Sequence, residues 1–163
     1  IKLLQFRENM KYIPIWRRIA SLIYDIVLII ALVIIMYMPL LSFNIEENTI
    51  FKITAQIYVY LIIQYFFVWF WVNSNGTLGM KSWKIKISDS NGNRISYKKA
   101  IVRFNVSLIY FLVTGFLAFM YYEYSEINYF LLTLSIILLS FPLVRKDRKF
   151  LHDIISKTIL IKI

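Results

Sequence analysis

Four runs of apolar residues, at about 19–43, 53–72, 100–122 and 127–144, dominate the chain. Each holds about 18 to 25 residues, the length a helix needs to cross a hydrocarbon core of about 30 Å. No other feature constrains the fold as strongly. A soluble domain of 163 residues cannot hide the apolar surface of a chain that is 60% hydrophobic with a mean hydropathy of +0.64. The first run is too long for a signal-peptide core of roughly 7–15 residues, and no small-x-small cleavage site follows it. It is expected to stay in the mature protein. The chain begins at Ile1 rather than Met, so either a few residues are expected ahead of it or the start is misread.

The 28 charged residues must then be segregated, and their placement sets a topology. Arg18 and the four basic residues before it lead into the first run, and only Lys52 lies between the first two. Seven (Lys81, Lys84, Lys86, Arg94, Lys98, Lys99 and Arg103) lie in the second connection and its junction with the third run. Six (Arg145, Lys146, Arg148, Lys149, Lys157 and Lys162) occupy the tail, so 18 of the 19 fall on one side. By the positive-inside rule that side is the cytoplasm, and both termini are expected there. Glu46, Glu47, Glu123 and Glu126 take the opposite side. The net charge of +10 therefore reads as an insertion signal with some attraction to anionic lipid, and not as a nucleic-acid surface. Trp16, Trp69, Trp71 and the tyrosines at 121, 122, 124 and 129 suit aromatic belts at the two interfaces.

The connection 73–99 is the one long loop, and it has organisation of its own. Trp83, Ile85 and Ile87 alternate with Lys84, Lys86 and Ser88, the period of a half-buried strand, and Asn91-Gly92 supplies a turn. Ser96 suits the cap of the next helix. In the tail 145–163 the ending "TILIKI" reads as a second strand. A lone strand at a greasy interface leaves its backbone groups unpaired, so segments 83–88 and 158–163 are expected to pair beneath the helices.

Asp25 is the residue that calls for an explanation. A carboxylate inside a spanning helix costs about 2.5–3.5 kcal/mol near the bilayer centre on insertion scales, so such residues pair or function. It lies seven residues after Arg18, about two turns and about 10 Å along the helix, which puts both on one face turned into the bundle. Arg103 and Asn105, at the entry of the third run, are its candidate partners, with Gln56 and Gln64 weaker ones. In the tail, Phe150, Leu151, Ile154 and Ile155 make an amphipathic segment that can bring Asp153 back to Arg18. The His152-Asp153 pair alone does not make a metal site, which needs three or four ligands. There is no cysteine, no phosphate-binding glycine loop and no serine-histidine-acid set. Neither an enzyme, a metal nor a cofactor is expected.

Three stretches together resemble the RDD family of membrane proteins, named for one arginine and two aspartates. They are "RRIASLIYD", running through Arg18 to Asp25, "GTLGMKSWKIKISDSNG" in the loop, and "LHDIISKTILIKI" in the tail, where Asp153 is the second aspartate. One residue separates Arg103 from Asn105, where the resemblance implies an adjacent Arg-Asn pair. What the resemblance implies for activity is involvement in transport.

The expectation is an all-α integral membrane protein with one domain over 1–163, four transmembrane helices and a small cytoplasmic strand-turn element. It is expected in the bacterial cytoplasmic membrane, moving a small ion with Asp25 as the titrating or binding group. The alternative is a scaffold or accessory protein whose Arg18, Asp25, Arg103, Asn105 and Asp153 lock the helices. Four helices enclose little, so a homodimer or a membrane partner is expected.

Overall fold

The computed structural model describes residues 13–42, 49–123, 133–134, 136–137, 140 and 149–162. Its elements in chain order are α1 (Ile15–Tyr37), α2 (Thr49–Ser74), α3 (Leu78–Ser82), β1 (Ile85–Asp89), α4 (Tyr97–Glu123), α5 (Leu151–Ile155) and β2 (Thr158–Lys162). Three helices among the described residues are long and apolar enough to cross a membrane: Ile15–Leu40, Thr49–Ser74 and Tyr97–Tyr122. The expected fourth span lies outside the described residues except for 133, 134, 136, 137 and 140, which are helical.

Local chemistry sets the helix ends. Pro14 stands at the N-cap of α1, and beyond Tyr37 the chain tightens into a 3-10 turn over Met38–Ser42. Pro39 sits in that turn, where its ring and missing N–H do not fit an α-helical interior. Ser96 caps α4, its hydroxyl accepting from the Lys99 N–H at 3.5 Å. The spans present Ile23, Val27, Ile34, Tyr65, Phe116 and similar side chains outward, as helices facing lipid do. α2 and α4 meet through aromatic rings, Phe67 against Phe104 at 5.8 Å and Tyr60 against Phe104 at 6.0 Å.

The principal cluster of buried apolar side chains sits at one end of the spans. Ile13, Val68, Trp71, Met80, Ile85, Ile87, Ile95, Ala100 and Phe104 form it, drawn from the helix ends, α3 and β1. β1 and β2 pair antiparallel, with Ile85 opposite Lys162, Ile87 opposite Leu160 and Asp89 opposite Thr158. The pairing expected from the sequence is present. The first strand begins later than the alternation suggested, because Lys84 takes φ 56° and Trp83 ends α3 instead of opening the strand. Trp83 packs edge-on against Trp16, ring centroids 5.4 Å apart. Trp71 also departs from the belt reading. Whereas Trp69 is exposed, Trp71 is buried, with the Arg103 guanidinium 5.3 Å from its ring.

Candidate functional site

Asp25 is reached by a short segment that turns back against α1. After α2 the chain reverses through Asn75 at φ 54° and Gly76 at φ 155°, and Thr77 then opens α3. The Thr77 hydroxyl oxygen accepts from the Met80 N–H at 3.2 Å, and the same hydroxyl donates to Asp25 Oδ2 at 2.5 Å. The Gly79 N–H donates to Asp25 Oδ1 at 2.9 Å. A carboxylate on one helix therefore satisfies otherwise orphan donors at the start of another. Only glycine fits at position 79, since a Cβ there would lie 2.3 Å from the Ser21 carbonyl oxygen and 2.9 Å from the Asp25 carboxyl. Ser21 and Asp25 are the buried residues of α1, and Asp25 is 2% exposed.

The candidate partners inferred for Asp25 lie elsewhere. Arg103 is turned to Asp153, Asn105 belongs to a cluster with Tyr60 and Gln64, and Gln56 is exposed. Among the described residues Asp25 forms no ion pair. On the face that carries Arg18, Ser21 and Asp25, Arg18 meets Asp153 of α5, and Asp25 meets Thr77 and Gly79 at the start of α3. Position along α1 and helical phase were legible in the sequence, but the partner was not.

Asp153 is the centre of a second polar group. Its Oδ2 accepts from Arg18 Nη1 at 3.2 Å and from the Phe150 N–H at 3.1 Å, and its Oδ1 accepts from Arg103 Nη1. Arg103 Nη1 also donates to the Thr158 hydroxyl, which lies 2.8 Å from the Ser156 hydroxyl. One carboxylate thus joins α1, α4 and α5, and through Arg103 the first residue of β2. Burial alone would push the Asp153 carboxyl up, but Arg103, Arg18 and the Phe150 N–H outweigh it and hold it below the usual carboxylate range. His152, stacked on Phe150 at 5.3 Å, is pushed down to about 3 by burial first and then by the two arginines, against the pull of Asp153. It is neutral at physiological pH.

The third group joins α2 and α4. The Tyr60 hydroxyl donates to Asn105 Oδ1 at 2.6 Å, while Gln64 Nε2 donates to the Tyr60 oxygen at 2.9 Å and to Asn105 Oδ1 at 3.4 Å. These are neutral groups well inside both spans. No group of three or more His, Cys, Asp or Glu suited to a metal occurs among the described residues.

Thr77, Gly79 and Thr158 escaped the sequence reading as members of the polar groups. A threonine just ahead of Leu78-Gly79-Met80 is a cap signal, and two glycines three apart signal close backbone approach. For Thr158 the sequence offers no such signal, because a threonine at the start of a β-like run is ordinary.

Several apolar spanning helices, tied at one end by a layer of short helices, a two-stranded sheet and buried charges, define a multi-pass membrane protein. The chain belongs to the RDD family, whose family model matches residues 12–157. No curated protein and no solved structure gives a match.

Proposed function

We propose that the protein moves a small cation or a proton across the bacterial cytoplasmic membrane, with Asp25 as the group that takes it up. The observation carrying this reading is the contrast between the two aspartates. Asp153 is compensated by two guanidiniums, whereas Asp25, inside a span, meets among the described residues only a hydroxyl and a peptide N–H. A buried carboxylate held by neutral donors is electrostatically incomplete, and a proton or a small cation completes it. The spans enclose little, so a closed pathway calls for a second copy or a membrane partner. Exposed Lys81, Lys84, Arg94 and Lys98 suit contact with anionic lipid at the cytoplasmic face.

A specific observation favours the scaffold reading as well. Arg18, Asp25, Arg103 and Asp153 each tie a short element of the end layer to a span. The two readings part on Asp25→Asn in reconstituted vesicles carrying a pH-sensitive dye and challenged with sodium, potassium and lithium gradients. The amide keeps the shape, can still accept from Gly79 and can donate to Thr77, but takes no charge. Loss of flux in a folded, inserted Asp25→Asn protein is the expected result. Normal flux per folded molecule would remove the carboxylate from the mechanism, and no flux from the unaltered protein under any gradient would leave the scaffold reading.

A further inference from the structure

We infer that α3 is a lid over Asp25, moving as one unit about residues 75–76 and 84; this rests on the reading of Asp25 as the exchanging group. With Asp25 2% exposed, nothing from the cytoplasm reaches it while α3 is docked. The docked position rests on the packing of Met80 in the core and of Trp83 against Trp16, and on two hydrogen bonds to Asp25. The Thr77 hydroxyl and the Gly79 N–H, both at the start of α3, hold the carboxylate, and Gly79 allows the backbone to lie against Ser21.

Both ends of α3 are built for a change of backbone direction. Asn75 at φ 54° and Gly76 at φ 155° precede it, and Lys84 at φ 56° follows it. Non-glycine residues in the left-handed region are strained and collect at switch regions. Between these hinges the turn has its own hydrogen bonds, from Lys81 N–H to the Thr77 carbonyl at 3.0 Å and from Trp83 N–H to the Gly79 carbonyl at 3.3 Å. Those bonds survive a rigid swing. The bonds to Asp25 do not. Lys81 and Ser82 are exposed on the same segment, so undocking α3 does not first require burying a charge.

Residue-resolved hydrogen exchange on the unaltered protein tests this directly. A lid predicts that the Gly79 amide, bonded only across to Asp25, exchanges at least tenfold faster than the amides of Lys81 and Trp83. Equal protection of all three, or stronger protection of Gly79, would make α3 a fixed wedge and overturn the lid. A second test uses the absence of cysteine from the chain. Ser21→Cys places a thiol among the buried residues of α1 beside Asp25, and its labelling by a membrane-impermeant maleimide on the cytoplasmic side should be slow. Adding Thr77→Val, which removes the hydroxyl bond to Asp25, should raise that rate on the order of tenfold. An unchanged rate in the folded double variant counts against the lid. Neither readout uses ion flux, so vesicles that carry no flux overturn the transport reading alone.

Discussion

Arg103 and Asp153 stand 50 residues apart in the chain and form a buried ion pair whose side chains are 5% and 1% exposed. The pair is shared with Arg18, whose guanidinium reaches the other carboxyl oxygen. Two cations on one carboxylate make Asp153 the member whose loss strands the most charge.

Removing Asp153 should therefore be the most damaging single change in this group. Asp153→Ala leaves two buried guanidiniums without a counter-ion and should cost about 3–5 kcal/mol, with Arg103→Ala costing less and Arg18→Ala, the more exposed member, least. Thermal unfolding in detergent measures the order. The Arg103→Ala/Asp153→Ala double variant should be little worse than Asp153→Ala. Fully additive losses would mean that the two side chains do not share a contact.

Two glycine substitutions should separate close approach from helix propensity. Gly79→Ala drives a methyl into the Ser21 carbonyl and the Asp25 carboxyl, and should cost about 1–3 kcal/mol or displace α3. Gly115→Ala in α4, with no described residue within 4 Å of the added carbon, should be neutral or stabilising by up to about 1 kcal/mol. Equal melting temperatures for the two variants would refute the tight contact at Gly79.

Acid should weaken the end layer through His152. Its folded value of about 3 lies below the ordinary value of 6.5, so the unfolded chain binds the extra proton first. The stability it contributes is fully present above pH 6.5 and is lost as the pH falls through 6.5 towards 3. By pH 4.5 the loss should be on the order of 2–3 kcal/mol, and Asp153, also depressed, adds to it at lower pH. Melting curves from pH 7.5 to 4.5 should show the drop in the parent and a flatter profile in His152→Gln. Parallel profiles would show that another group carries the acid response.

Topology has its own test. Asn91, exposed in the turn after β1, should be labelled as Asn91→Cys only from the cytoplasmic side, as the positive-inside rule predicts for so basic a loop. Labelling from outside intact cells would invert the assignment.

The apolar runs were enough to locate three spanning helices to within a few residues, since membrane insertion sums hydrophobicity along a continuous segment and needs no knowledge of the rest of the chain. The phase of α1 followed in the same way from the spacing of Arg18 and Asp25, and the pairing of β1 with β2 followed from the need to satisfy two strands' backbone groups. What each polar side chain touches was settled only in three dimensions. Arg103 and Asn105 stood equally ready for Asp25, yet the tail brings Asp153 to Arg103, Tyr60 and Gln64 take Asn105, and a glycine too small to keep α3 at a distance brings a peptide N–H to Asp25. Burial along a helix is a local property that periodicity records, whereas a hydrogen-bond partner depends on where segments 41 or more residues away come to rest.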